Sequence, residues 1–311
     1  MFEIPSPVRS AEAAFGSDVA DLPLVADSPH TEFELTHARE IEQRAWHLDD
    51  PPFGAFAPTP LQESLIELAC HTPLGRGRAR WWTASLIERL RAGPIDVERL
   101  GLKLRLHYYG THVCDKKMLL HVAGYDREEI DLLTREIDAY SFFRFVDIGA
   151  HTGFYSLAVK SMCPNAKIVA FEPHPLYCNR LNYNVRTNAL RDFSIRAMAV
   201  GAEKGFRPYY VERESLTGDG RFFEVPVVPL HDSLLAEGWN GIDALKIDIE
   251  GYEDRALFPF FKTAPRSMWP RIIIIEHTLQ HLWELDCFAL CRALGYHRIF
   301  HGRFNTVLRR I

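Results

Sequence analysis

The chain has 311 residues, 47% hydrophobic and 25% charged, a balance that fits a globular protein and excludes a mainly disordered one. Its formal net charge of −5 speaks against a surface built to grip nucleic acid. The longest apolar runs are strand-sized, well short of the ~20 residues that cross a bilayer, so no membrane span is expected.

MFEIPSPVRSAEAAFG lacks the basic region and apolar segment of a signal peptide, so a cytoplasmic protein is expected. Residues 1–50 carry eleven acids against three arginines, whereas GRGRARWW (75–82) begins a basic patch. A solvated tail is the simplest reading. An acidic arm folded over a basic part of the same or a partner subunit is the alternative, which keeps open a homo-oligomer formed through this extension. Residues 1–75 read as an acidic, partly mobile appendage, 76–124 as a helix and β-hairpin lead-in, and 125–311 as the main domain.

FELTHAREIEQRAW is the one helical pattern in the first 60 residues. LQESLIELAC (61–70) and ARWWTASLIERLRAG (79–93) follow, apolar every three or four positions, and Gly93 and Pro94 end the second helix. VERLGLKLRLHYYG alternates and is expected to pair with THVCDKKMLLHV as a hairpin. In GYDREEIDLLTREIDAY, Asp126 is the expected N-cap, with Glu129 completing a capping box and Ile130, Leu133 and Ile137 as the buried stripe. Trp81, Trp82, Tyr108 and Tyr109 are expected in the core, and Asn184 at the surface.

Beyond this point strands alternate with helices: RFVDIG, KIVAFEP, SIRAMAVG, DALKIDIEG and RIIIIEH. Such alternation implies a Rossmann-like α/β domain, a mostly parallel seven-stranded sheet with helices on both faces. RPYYVERESLTGDGRFFEVPVVPLHDSLL reads as antiparallel strands around a Gly-rich loop, and HRIFHGRFNTVLRR as a terminal hairpin on the sheet. Six scattered cysteines form no CxxC pair, which leaves no zinc knuckle or disulfide framework; Cys287 and Cys291 read as small core residues.

Ligands of open α/β sheets bind at the carboxyl ends of strands, near the point where strand order reverses. FVDIGAHTGFYS supplies such an end. Gly149 and Gly153 enclose Ala150, His151 and Thr152, so the GxGxxG of a dinucleotide site is absent. Asp147 before the first glycine suits a cationic or hydroxyl-bearing ligand better than a phosphate. Glu172, 25 residues on and followed by Pro173, is placed to accept bonds from both hydroxyls of a ribose. Together these describe an adenosine with a cationic, phosphate-free tail, and S-adenosylmethionine fits that description.

VDIGAHTGFYS, AFEPHP, AVG, LHDSLL, LKIDIEGYE and IIIIEH, in that order, resemble the FkbM family of S-adenosylmethionine-dependent methyltransferases. The resemblance runs from about Tyr125 to the C-terminus. It implies O-methylation of a small-molecule hydroxyl on a polyketide, sugar or glycolipid, and a pocket lined by Asp248 and Glu250. His151 stands where the family commonly has asparagine, and the first hundred residues have no counterpart.

In KIDIEGYE, strand alternation would set Lys246, Asp248 and Glu250 on one side. Asp248 or His277 is the candidate base, with Lys246 holding the acceptor oxygen or a carboxylate. Glu276 and His277 end the next strand on opposite sides. Asp248, Glu250 and Glu276 are also the candidate ligands of a divalent metal. Ser215 and Thr217 are weaker candidates for contact with cofactor or acceptor. Two alternatives stand beside O-methylation: a catalytically silent ligand-binding or scaffold protein of the same fold, and N-methylation.

Overall fold

A computed structural model of the chain describes residues 51–107, 109–110, 113–120, 126–139, 142–211 and 221–311. The helix expected at 33–46, Tyr108, Ser215 and Thr217 lie outside them. Two helices come first, α1 (Pro60–His71) and α2 (Gly77–Leu90). Thr59 and Gln62 close a reciprocal capping box at the start of α1. Strands β1 (Ile95–Arg99) and β2 (Leu102–Leu106) form an antiparallel hairpin. Asp96 and Arg105 meet across it at 2.7 Å, both buried, and clasp the entering chain. Asp96 accepts from the Gly54 and Phe56 amides, and Arg105 donates to the Pro51 and Pro52 carbonyls.

That hairpin is complete in itself. The segment expected to pair with it is instead helix α3 (Val113–Leu120). Cys114 and Met118 touch across one turn, and Asp115 turns inward to accept from the His107 amide at 3.0 Å and from Thr152 Oγ1 at 3.3 Å. Helix α4 (Arg127–Asp138) begins at Asp126 without the expected capping box. Asp126 is left-handed (φ 43°), and its carboxylate accepts from Tyr155 Oη at 2.8 Å instead of from its own helix.

The main sheet has seven strands. It contains β3 (Arg144–Ile148), β4 (Lys167–Phe171), β5 (Phe193–Arg196), β9 (Ala244–Ile247), β10 (Ile272–Glu276), β11 (Tyr296–His301) and β12 (Asn305–Arg310). Their order is β11-β12-β10-β9-β3-β4-β5, with only β12 antiparallel to its neighbours. Apolar runs such as Ile272–Ile275 are buried on both faces, as a covered parallel sheet demands. SIRAMAVG divides between β5 and the two-residue β6 (Ala199–Val200). β6 joins β7 (Gly205–Val211) and β8 (Arg221–Val228) in a small separate sheet.

Each face has its own core. Ile66 of α1, Ile87 of α2 and Leu104 of β2 pack with Phe145, Ile168 and Ile274, together with α5 (Phe154–Met162) and α6 (Pro175–Thr187). The opposite face packs Val146, Ile247 and Ile275 against α7 (Leu230–Ala236), α8 (Glu253–Thr263) and α9 (Cys287–Ala293). The early helices and hairpin therefore share one core with the sheet.

Several expectations fail locally. Trp82 is 78% exposed and Trp81 partly so, with Lys116 Nζ over the Trp81 ring, whereas Tyr109 is buried as expected. Asn184 is buried, not at the surface, and its Oδ1 accepts from the Arg105 amide at 2.8 Å, joining α6 to β2. Cys287 and Cys291 are buried and unbridged. No helix among the described residues is long and apolar enough to cross a membrane.

Candidate active site

Chain order reverses between β3 and β9, and the residues at their carboxyl ends face one another there. Asp147 and Lys246 are register partners across these strands, as are Asp147 and Ala170 across β3 and β4. Alternation then sets Asp147, Glu172, Lys246 and Glu276 on the same face of the sheet, the face covered by α5 and α6.

The turn after β3 is built from main-chain bonds. The Gly149 and Ala150 amides both donate to the Phe171 carbonyl at 2.9 Å, tying the turn to the end of β4. Gly149 lies at φ 77°, where a Cβ would come within 1.8 Å of the Asp248 carbonyl oxygen. Gly153, at φ 88°, packs so closely on Leu181 that a Cβ would meet Leu181 Cδ1 at 2.2 Å. His151 is itself left-handed (φ 52°), a conformation rare outside glycine and asparagine. The two glycines are thus required by packing against β9's exit loop and α6.

Asp147 braces this turn from below. It is buried, and its Oδ2 accepts from Ser156 Oγ at 2.6 Å and the Ser156 amide at 3.2 Å at the start of α5. Burial pushes its carboxyl up to about 6, against the pull of those bonds and of Lys246.

Glu172 is the more exactingly held acid. Its Oε2 accepts from the His151 amide at 2.7 Å and its Oε1 from the His174 amide at 2.8 Å. Burial pushes the carboxyl up to about 7 despite both bonds. Each oxygen keeps a further lone pair, so the group can accept from a pair of hydroxyls. Pro173 fixes the chain between these two residues, and His174 caps α6 through Nδ1, which accepts from the Leu176 amide at 3.1 Å. The Tyr177 ring lies 3.8 Å from the His151 ring and 4.5 Å from that of His174, and Tyr209 of β7 meets His174 edge-on. Burial first, then the nearby Glu172, raises the Tyr209 phenol, which places β7 beside the acid. These aromatic neighbours could not be read from the sequence, because Tyr209 arrives from a separate sheet.

On the other side of the switch, Lys246 Nζ and Asp248 Oδ2 pair at 3.0 Å. The ammonium is buried and lies 5.3 Å from the Tyr155 ring centroid, while the carboxylate is 39% exposed. β9 ends at Ile247, so the strand alternation expected to carry Glu250 to the same side does not reach it. Glu250 sits instead in a left-handed turn (φ 57°), exposed, its carboxyl raised by partial burial and by Asp248.

Glu253 organises that turn and was not anticipated. It is fully buried; Oε1 accepts from the Ile249 amide at 2.8 Å and the Gly251 amide at 3.3 Å, and Oε2 from Trp283 Nε1 at 2.6 Å. Its place three residues after Glu250 gave no sign of this, since Trp283 is distant in sequence.

His277 does not join the group. It follows the alternation of Ile273 and Ile275 onto the opposite face, where its ring stacks on His301 at 4.7 Å and its Nδ1 meets Thr306 Oγ1 at 3.1 Å. Burial and His301 lower its pKa. Glu276 stays on the Lys246 face, its Oε1 accepting from the Thr278 amide at 2.8 Å and from the Thr278 hydroxyl. Among the described residues no three His, Cys, Asp or Glu side chains group as a metal site would require, so Asp248, Glu250 and Glu276 do not form the ligand set considered for a divalent ion.

Residues 147–298 match the methyltransferase FkbM domain. A relative, methyltransferase sdnD of Sordaria araneosa, is 28% identical over 45% of this chain and 66% of its own length, so the chain spans just under two thirds of it. Among solved structures, precorrin-6y C5,15-methyltransferase of Geobacter metallireducens aligns with 13% identity and a TM-score of 0.33, over 60% of this chain and 88% of that one. The N-terminal domain of human METTL16 in complex with SAH aligns with 16% identity and a TM-score of 0.36, over 58% and 66%. At those scores the topology rests on the strand order described above.

Proposed function

We propose that this chain, whose residues 147–298 match the methyltransferase FkbM domain, transfers the methyl group of S-adenosylmethionine to a hydroxyl of a small molecule. The observation that carries the reading is Glu172, whose two carboxylate oxygens are oriented by the His151 and His174 amides at the tip of β4, beside the switch between β3 and β9. A buried, pre-aligned carboxylate with spare acceptor capacity matches the two hydroxyls of a ribose. The turn Gly149-Ala150-His151-Thr152-Gly153, braced by Asp147, borders the same space and has no GxGxxG for a pyrophosphate.

S-adenosylmethionine, when bound, supplies a methyl group already activated by its sulfonium. What is left to the chain is alignment of the acceptor and removal of its proton. Asp248 is suited to take the proton, because its carboxylate is accessible and is steered by the buried Lys246 ammonium. Lys246 also stabilises negative charge as it develops on the acceptor oxygen. Glu253 holds the 249–251 turn through its amides and thereby fixes where Asp248 ends. Asp248 and Glu250 line this side, while His277, held on the opposite face, takes no part in proton removal.

The test is methyl transfer from isotope-labelled S-adenosylmethionine to extracts of the source organism, followed by isolation of the labelled product. A methyl ether is expected. Labelled amines as the sole products would replace the reading with N-methylation, and an unlabelled extract with bound S-adenosylhomocysteine would leave a silent binding protein.

A further inference from the structure

Helices α1 and α2 expose an apolar surface. Leu61, Leu68, Leu74, Trp82, Leu86 and Leu90 are each 40–78% exposed. Single apolar residues scattered over a surface are ordinary, whereas a contiguous patch marks an interaction site. The two helices run antiparallel, since Gln62 Nε2 donates to the Ile87 and Arg91 carbonyls and Thr83 Oγ1 to that of Leu74. Leu61, Leu65 and Leu68 share one side of α1, and Trp82, Leu86 and Leu90 one side of α2. Each row stands one position before the inward residues of its helix, Ile66 and Ala69 in α1, Thr83 and Ile87 in α2. Cys70 and Glu88 turn toward α3, the first to the Leu119 carbonyl and the second to Lys116. Leu61 and Leu86 lie about half a turn from them, so the two rows join on the side away from α3.

The rim of that face is basic. Arg78 and Arg89 stand at either end of the α2 row, and Arg76 precedes the helix; all three are exposed. The acids point elsewhere. Glu88 lies beside Lys116, and Glu63 and Glu67 each stand two positions, about 200°, beyond Leu61 and Leu65. In the whole chain Asp and Glu outnumber Lys and Arg by 41 to 36, yet residues 76–91 hold five arginines and one glutamate. The local charge therefore runs against that of the chain. A second copy laid on this face would bring no carboxylate to the arginines, because Glu63 and Glu67 are turned away from it.

We infer that the α1–α2 face docks the protein on the surface of an anionic lipid bilayer. The leucines and the Trp82 indole enter the boundary between headgroups and acyl chains, and Arg76, Arg78 and Arg89 lie among the anionic headgroups. Tryptophan suits that depth, with an apolar body and an N–H for the polar side. Two helices lying side by side present the rows in one plane, as a surface-bound element must. Helix α3 lies between the docking face and the glycine turn. It packs on α2 through Lys116 and Trp81, and its Asp115 accepts from Thr152. The inference concerns binding alone and does not depend on the methyl-transfer reading.

The test is flotation of the full chain with vesicles of phosphatidylcholine alone and of phosphatidylcholine with about one third phosphatidylglycerol. Binding to the anionic vesicles is expected to be at least about tenfold tighter, and to weaken as salt is raised from about 0.1 M to about 1 M. Trp82→Ser/Leu86→Ser is expected to lose about tenfold or more in affinity for the anionic vesicles. Arg78→Gln/Arg89→Gln loses about tenfold and most of the salt dependence. Leu235→Ser, which removes a leucine 54% exposed on α7 of the opposite face, is the control and binds as the wild type does. Thermal melts check that each variant is folded. The inference is overturned if the full chain binds neither vesicle, the outcome expected where residues 1–50 or a second copy occupy the face. It is overturned equally if both vesicles bind alike, or if Leu235→Ser weakens binding as much as Trp82→Ser/Leu86→Ser. Light scattering that shows a dimer, dissociated by Trp82→Ser/Leu86→Ser, would make the face an interface between copies and overturn it as well.

Discussion

A Cβ on Gly149 would lie 1.8 Å from the carbonyl oxygen of Asp248, so the turn after β3 and the exit of β9 touch backbone to backbone. The two halves of the proposed site, the Glu172 side and the Lys246–Asp248 side, are held in register by this contact. Gly149→Ala must move one of them and also place alanine at φ 77°. A loss of about 3 kcal/mol in stability is expected, with S-adenosylhomocysteine affinity reduced in the fraction that folds. Denaturant unfolding together with calorimetry checks both.

Glu172 predicts a pH dependence. Its carboxyl binds a proton more tightly in the folded chain, at about 7, than at the ordinary 4.5, so its contribution to fold stability grows as pH falls from about 7 toward 4.5. Cofactor binding has the opposite sign, because ribose hydroxyls donate to the ionised form. Affinity for S-adenosylhomocysteine is expected to rise about tenfold between pH 6 and 8, with proton release. In Glu172→Gln the profile over this range flattens.

Asp248→Asn is expected to cut turnover by ~10²–10⁴-fold, the usual contribution of a positioned base, while S-adenosylhomocysteine still binds. His277→Ala provides the contrast. Its ring belongs to the His301–Thr306 group on the far face, so the substitution lowers thermal stability and leaves turnover nearly unchanged. Equal losses of turnover in the two variants would contradict the assignment.

Glu253→Ala orphans the Ile249 and Gly251 amides and Trp283 Nε1 in a buried place. Each unsatisfied donor costs about 1–3 kcal/mol. Thermal melts should show a large drop, and turnover should fall more than cofactor affinity, since the loop that carries Asp248 loosens. Glu253→Gln, which keeps an acceptor for the amides, should recover part of both.

How much of this was legible in the sequence depended on range. Continuous apolar runs such as Ile272–Ile275 marked the core strands, and Glu172 was visible as an acid at a strand tip beside a glycine turn. Pairing rules of short reach misled where a distant partner won. Asp126 looked like a helix cap but is claimed by Tyr155, 29 positions away. Val113–Leu120 alternates poorly as a strand, and its fate was decided by Asp115 reaching Thr152. Asn184 looked like a surface amide until β2 arrived to use it, 79 positions earlier in the chain. Asn305 reaches Glu129 across 176 positions, a contact no local pattern can announce. Trp82 stayed outside the core because α2 spends its inward positions on Ala84 and Ile87.

The most direct test of the proposed chemistry is calorimetric titration of the full chain with S-adenosylhomocysteine, wild type beside Glu172→Gln. One molecule bound per chain is expected, with affinity reduced about 10–100-fold in the variant as a charge-assisted pair of hydrogen bonds is lost. No binding to the wild type, or equal binding by both proteins, would contradict the placement of the methyl donor at Glu172.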